Sequence, residues 1–274
     1  MEHTVETITC KSALTGAGRD YRLNPYVGCE HACEYCYATY VARWRGQSGP
    51  WGSWVQVKTN VAEVLARQLE RKAGARIFLS TVCDAYQPVE QEYELTRRCL
   101  AVLRHAAIFD PDLRVFLLTK SDLVWRDVDL LTAFPAGTVR VGFSVTTSRD
   151  EVAALLEPAA PPPSRRIATA RALKEAGVTV GLLINPILPH VTERDLPSLL
   201  DAIDDAGLDF VGFDTLHYLR GHVGGKMRRV YRQLGRDACA RLRQAQDDPG
   251  YEDELRRRVG ELTAGRSITV ESRF

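Results

Sequence analysis

The sequence predicts an α/β chain built on a parallel sheet. Three observations carry this: short apolar runs bounded by turn residues recur six times, segments of helical period lie between them, and cap-forming residues punctuate the helices. Six βα units with short connections form a sheet that is either open and doubly wound or curled into most of a barrel. In both forms chemistry collects where the strands end.

The strands are expected at 21–27, 76–81, 114–119, 139–145, 178–184 and 210–213, each apolar enough to be buried on both faces. The helices are expected at 61–72, 90–107, 121–133, 149–156, 165–176 and 193–206. Asn60, Ser121, Ser148 and Ser164 suit N-caps, while Gly74, Gly177 and Gly207 stand where C′ glycines belong. Residues 46–54 (GQSGPWGSW) read as a surface flap, and 157–164 (EPAAPPPS) are too proline-dense for helix. After 213 a loop, HYLRGHVGGK, leads into basic helical sequence to about Gly265 and an apolar, strand-like end at 268–270. The organisation is an N-terminal segment at 1–20, a βα body at 21–215 and an extension at 216–274 that belongs to the same globule.

Composition narrows the function. With 274 residues, 45% hydrophobic and 26% charged, the chain can bury one sizeable core or two small ones, which excludes disorder and fibre. The 36 basic and 35 acidic side chains leave +1, so a nucleic-acid or membrane partner must be held locally. No window approaches the roughly 20 apolar residues of a membrane span, and the start lacks a secretion signal, so no membrane partner and a cytoplasmic location are expected. The seven cysteines, at 10, 29, 33, 36, 83, 99 and 239, are odd in number and three fall within eight residues. That pattern fits a reducing compartment and points to metal or catalysis.

Cys29, Cys33 and Cys36 stand in GCEHACEYCYA, directly after the first strand, spaced C-x3-C-x2-C. Three thiolates from one tight loop fit a [4Fe–4S] cubane and leave one iron for a non-protein ligand. Two alternatives stay open at this point: a structural zinc completed by His31 or a distant cysteine, and unliganded core thiols.

CEHACEYC resembles the cluster motif of radical S-adenosylmethionine (SAM) enzymes. NPYVGCEHACEYCYA, STVCDAYQPVE, LLTKSDLVWRD, VGFSVTT, LEPAAPPPSRR and the NP of LLINPILP resemble, in order, blocks of the spore photoproduct lyase-like branch, over roughly residues 24–189. The resemblance implies a partial (β/α)6 barrel of the TIM-like type, with the 216–274 segment as a short helical C-terminal extension. It also implies a [4Fe–4S] cluster whose open iron chelates SAM, an electron donor such as flavodoxin or ferredoxin, and a 5′-deoxyadenosyl radical that abstracts hydrogen from a substrate.

Lys120, after the third strand, is placed by the resemblance at the SAM carboxylate; a solvated lysine is the alternative. Ser144, Ser80 and Thr81 are hydroxyls at the ends of apolar strands, suited to SAM's polar groups or to ordinary capping. Asp84 suits the SAM ammonium or the orientation of its loop, Tyr35 and Tyr37 suit covering the adenine or the cluster, and Asn185 faces the same mouth or forms a turn. Cys83 departs from the branch pattern, T-x-DPYQP, because TVCDAYQP carries a thiol there. Authentic lyases carry a hydrogen-donating cysteine about two residues earlier relative to the aspartate matching Asp84, so Cys83 is a candidate donor to a product radical or a small buried filler.

Arg220, Lys226, Arg228, Arg229, Arg232 and Arg236 occupy an acid-free stretch and suit phosphate contact or a solvated helix face. Three classes therefore stand: a lyase acting on nucleic acid or a nucleoside, a radical SAM tailoring enzyme for a peptide or small metabolite, and a non-enzymatic iron–sulfur or zinc protein.

Overall fold

The computed structural model describes residues 3–216 and 221–272. Eleven strands are present among them: β1 (Thr4–Ile8), β2 (Leu14–Ala17), β3 (Asp20–Leu23), β4 (Tyr26–Val27), β5 (Trp54–Lys58), β6 (Arg76–Leu79), β7 (Arg114–Thr119), β8 (Val139–Ser144), β9 (Thr179–Ile187), β10 (Phe210–Thr215) and β11 (Thr269–Ser272). Eight form one sheet in the order β11-β10-β9-β8-β7-β6-β3-β2. Its neighbours run parallel except in the β2–β3 hairpin.

The six expected parallel strands are the centre of this sheet. Leu23, Leu79 and Leu117 stand in one register row and are essentially unexposed. Helices cover the outer face through apolar stripes: Leu95–Phe109 buries Leu95, Cys99, Leu100, Leu103 and Ala107, and Thr192–Asp205 buries Leu196, Leu199, Leu200 and Ile203. Each of the leucines and the isoleucine contributes roughly 1.5–3 kcal/mol by leaving water.

The sheet curls without closing. Phe78 of β6, Phe116 of β7, Leu183 of β9, Gly212 of β10 and Glu271 of β11 face one cavity, while β2 and β11 remain unpaired edges. The interior is tight: a Cβ on Gly181 would lie 2.2 Å from the Phe210 carbonyl oxygen and 2.5 Å from its ring.

Several local expectations need correction. The expected strand 21–27 is broken at Asn24 and Pro25. Pro25 has no N–H for a ladder, and β4 leaves the main sheet to pair with β5 in a second sheet, β1-β5-β4. The end of the expected flap is therefore strand. The expected helix 90–107 is two helices, Glu90–Tyr93 and Leu95–Phe109, separated by Glu94 at φ 50°. Ser121 caps its helical turn by accepting from the Leu123 N–H at 3.2 Å. Asn60 does not cap; its side chain pairs instead with both backbone groups of Cys10. The glycines of GHVGGK are helical, within Gly221–Leu234, rather than a loop, and Gly235 at φ 107° puts Arg236 on a separate helix. No helix among the described residues is long and apolar enough to cross a membrane.

Candidate functional site

A cavity of about 510 Å³ opens at the carboxyl ends of the parallel strands. Its wall includes the cysteine loop (Cys29, Cys33, Tyr35, Cys36, Tyr37), the loop after β6 (Ser80, Thr81, Cys83, Asp84), Lys120 after β7, Ser144 ending β8 and Asn185 in β9. All twelve residues nominated from the sequence for the cluster, for SAM and as hydrogen donor thus line one space. Lys226 does not line it: its ammonium pairs with Glu34 of the cysteine loop at 3.7 Å. Arg228 and Arg229 are exposed on the same helix, and Arg220 lies outside the described residues.

The cysteine loop is held from three sides. Gln87, wholly buried, accepts from the Glu30 N–H at 2.9 Å and donates to the Gly28 carbonyl at 3.4 Å, while Glu30 accepts from the Val89 N–H at 2.7 Å. His31 spans the Ala159 carbonyl, 3.2 Å from Nδ1, and Asp84, 3.3 Å from Nε2. From outside, Gly52 sits against Ala32, where a Cβ would come within 2.4 Å of the alanine methyl. Ala32 itself has φ 55°, so the loop's shape depends on this support.

None of the seven cysteines is in a disulfide. Burial pushes Cys29 well above the ordinary thiol value, with Asp84 and the neighbouring thiols adding to it. Burial raises Cys33 to about 12 although Lys120 opposes the shift, and it raises Cys36 as well. Three sulfurs in such a place favour a bound cationic centre over bare thiolates. Among the described residues no three His, Cys, Asp or Glu side chains converge tightly enough for a single ion.

Polar groups opposite the thiols form a linked chain. Lys120 Nζ donates to Ser144 Oγ at 3.0 Å, and Ser144 Oγ donates to the Asn185 carbonyl at 3.2 Å. Burial alone would lower the Lys120 pKa, but its charge interactions with Cys33 and Glu157 outweigh it and hold it above the usual lysine value. Asp84 accepts from Thr119 Oγ1 at 2.7 Å, the Tyr86 N–H at 2.9 Å and the Lys120 N–H at 2.7 Å. Burial works against its charge, yet His31 and these donors hold it down at about 2. Four buried atoms on residues of this wall, His31 Nε2, Trp51 Nε1, Ser80 Oγ and Asn185 Oδ1, have no hydrogen-bond partner; His31 Nε2 faces Asp84, and the two oxygens remain. Ser80 also has φ 73°. A zwitterionic ligand with hydroxyls, such as SAM, fits this set of one cation and two unsatisfied polar atoms.

Cys83 is held differently. Its thiol faces Asn24 Oδ1 at 3.6 Å, and burial raises it to about 12 against the pull of Lys58, which keeps it protonated. Asn24 also accepts from the Thr81 and Val82 N–H groups at 2.9 and 3.0 Å.

Four supporting residues were not singled out from the sequence, although each lies in a motif that was: Asn24 in NPYVG, Gln87 in AYQPVE, and Glu157 and Arg166 in EPAAPPPSRR. Arg166 pairs with Glu157 and donates to the Ser144 carbonyl at 3.0 Å, and Glu157 accepts from the Tyr35 hydroxyl.

Comparison with known proteins adds three findings. A model described as the Radical SAM superfamily matches residues 23–203. A protein of no assigned function from Methanocaldococcus jannaschii is 35% identical over 64% of this chain and 63% of its own length, and one from Mycobacterium tuberculosis is 32% identical over 95% and 80%. Among solved structures, spore photoproduct lyase complexed with dinucleoside spore photoproduct superposes with a TM-score of 0.67 at 18% identity, covering 99% of this chain and 82% of the lyase.

Proposed function

Because the chain belongs to the radical SAM superfamily, we propose that Cys29, Cys33 and Cys36 hold a [4Fe–4S] cluster with one iron open, and that SAM occupies the adjoining cavity. When bound, these groups supply one-electron reductive cleavage of the sulfonium to methionine and a 5′-deoxyadenosyl radical, which takes a hydrogen atom from the substrate. The protein's own share is to bind, orient and exclude water.

Lys120 serves the SAM carboxylate through a charge-assisted hydrogen bond, with Ser144 fixing the ammonium. Ser80 Oγ and Asn185 Oδ1 offer their unused hydrogen-bonding capacity to SAM's amino or ribose groups, and Thr81 stands beside them. Asp84, already saturated by four protein partners, positions Lys120 and His31 rather than the ligand. Tyr35 and Tyr37 wall the cluster side. Cys83, a protonated thiol on the same cavity, serves as hydrogen donor to a product radical.

The substrate we infer is a nucleic acid or nucleoside, in a reaction like that of spore photoproduct lyase, whose fold the chain shares. The observation that carries the whole reading is the meeting of three thiols, a lysine and two unsatisfied polar atoms on one cavity at the strand ends. The test is anaerobic: iron and sulfide are added, the protein is reduced, SAM is supplied, and 5′-deoxyadenosine is measured beside Cys33→Ala. Cleavage by the unaltered protein alone supports the reading. Tight zinc with no iron–sulfur absorption overturns it, and turnover of peptides but not oligonucleotides or nucleosides overturns the substrate class.

A further inference from the structure

We propose that the amino ends of the central strands form a second binding site, for a small aromatic anion, at the opposite end of the sheet from the cysteine loop. It stands independently of the function proposed above.

Three neighbouring strands open with an arginine. In ARIFLS, LRVFLLTK and VRVGFS, Arg76, Arg114 and Arg140 stand two residues before Phe78, Phe116 and Gly142, and strand alternation puts each pair on one face. The three arginines, both phenylalanines, Leu183, Gly212 and Glu271 wall a cavity of about 270 Å³. Farther along β7, Leu118 and Lys120 belong to the wall of the upper cavity. Arg114 and Lys120 are six residues apart, about 20 Å of strand, so a ligand at the arginines lies well away from the cysteine loop. Phe78 and Phe116 belong to both walls and stand between the two spaces.

Charge selects an anion. Arg76 and Arg114 are partners in one register row and Arg140 is the partner of Phe116, so three guanidinium groups rise from adjacent strands. Like charges so placed repel one another. Two acids answer them: Asp20 meets Arg76 at 2.7 Å and Glu271 meets Arg140 at 2.6 Å. Arg114 has no acid partner among the described residues. Its Nη1 donates to the Pro111 and Leu113 carbonyls at 2.6 and 2.9 Å, while Nε and Nη2 bond no described group. Two free donors on a rigid, permanently charged fork match a carboxylate or phosphate.

The wall and the volume select a single ring. Phe78 and Phe116 meet edge to face with centroids 6.3 Å apart. Arg140 lies 4.0 Å from the Phe210 centroid and 5.8 Å from that of Phe116. Rings bordered by guanidinium groups accept a further ring, offset or edge-on, beside its anionic substituent. Gly212 helps to keep the space open, since a Cβ there would lie 2.8 Å from Leu183. At about 270 Å³ the cavity falls just below the ~300–1,000 Å³ of sites for drug-sized ligands, which limits the occupant to one ring with its charged group.

The test is calorimetric titration of the full chain, as purified and again after iron–sulfur loading, with benzoate, phenyl phosphate, inorganic phosphate and benzamide. The expected result is one-to-one binding of benzoate or phenyl phosphate. Inorganic phosphate lacks the ring and benzamide the charge, so each should bind about tenfold more weakly or worse, as should the ring anions to Arg114→Gln, which loses a hydrogen bond between charged groups. Glu271→Gln frees Arg140 and should tighten binding, a sign that a folding defect cannot produce. Lys120→Met, in the other cavity, should leave binding unaltered, and circular dichroism verifies the fold of each variant. The proposal is overturned by no binding of either ring anion, by equally tight inorganic phosphate or benzamide, or by binding that Arg114→Gln leaves unchanged or Glu271→Gln weakens. Loss of binding in Lys120→Met with none in Arg114→Gln also overturns it, since the ligand would then sit among the groups assigned to SAM. None of these readings requires SAM cleavage, so its absence would count only against the function proposed above.

Discussion

Arg166 and Glu157 stand 2.5 Å apart with neither side chain exposed to solvent, and the pair ties the proline-rich loop to Tyr35 of the cysteine loop and to the Ser144 carbonyl. Removing one partner leaves an uncompensated buried charge. Arg166→Met should therefore cost about 3–5 kcal/mol, read as a lower midpoint in urea unfolding. The pH dependence follows from Glu157, whose charge burial disfavours but Arg166 and Lys120 restore, so that its folded pKa lies below the ordinary value. A depressed carboxylate stabilises fully above its unfolded pKa and loses that contribution as pH falls through the folded one. The stability deficit of Arg166→Met should thus be widest at neutral pH and shrink on acidification; a deficit constant from pH 7 to pH 3 would be wrong for this pair.

Cys29→Ala, Cys33→Ala and Cys36→Ala should each lose bound iron–sulfur absorption and SAM cleavage. Cys99→Ala, a thiol in the main hydrophobic core, should keep both. Cleavage that survives in any one of the first three removes that residue from the ligand set.

Cys83→Ala should leave iron content and the first SAM cleavage intact while diverting product. With the thiol present, deuterium from solvent-exchanged S–H enters the product; without it, the product radical is quenched by another route. Loss of iron in this variant would make Cys83 structural or a ligand.

Lys120→Met should weaken SAM binding by about ten- to a hundred-fold, the range expected for one hydrogen bond to a charged group at about 1.5–3 kcal/mol. Equilibrium dialysis with the reconstituted protein measures it directly. Unchanged affinity would return Lys120 to a purely structural role.

Gly52→Ala places a methyl 2.4 Å from that of Ala32, on a backbone at φ 99°. The overpacking should cost about 1–3 kcal/mol and lower the iron taken up per chain, since the strain falls on the loop between Cys29 and Cys33. Full iron uptake with an unchanged melting temperature would show that the flap does not brace the loop.

Much of this was readable in one dimension. Apolar runs of strand length and helical stripes mark the six central strands because both signals are local in the chain, and strand ends gather the nominated side chains because a parallel sheet sends every carboxyl end the same way. Less visible were contacts whose partners lie far apart. Nothing near Arg166 says that its guanidinium meets Glu157 and the Ser144 carbonyl, and nothing near Gln87 says that it braces Gly28 and Glu30 across the core. Strand β5 was hidden because Gln56 and Lys58 interrupt its apolar run, although residues 54–57 are all buried. The break at Pro25 was legible in principle, since proline lacks the N–H that a continuous central strand requires.

The bond from Tyr35 to Glu157 spans 122 residues of chain. During synthesis, at about 5–20 residues per second, the cysteine loop leaves the ribosome roughly 6–25 s before this clamp exists. For that interval Cys29, Cys33 and Cys36 are ordinary exposed thiols, open to oxidation or to zinc. Cells making this protein should therefore yield correctly metallated chains in proportion to how well nascent thiols are shielded, and slowing translation between residues 36 and 157 should lower that proportion.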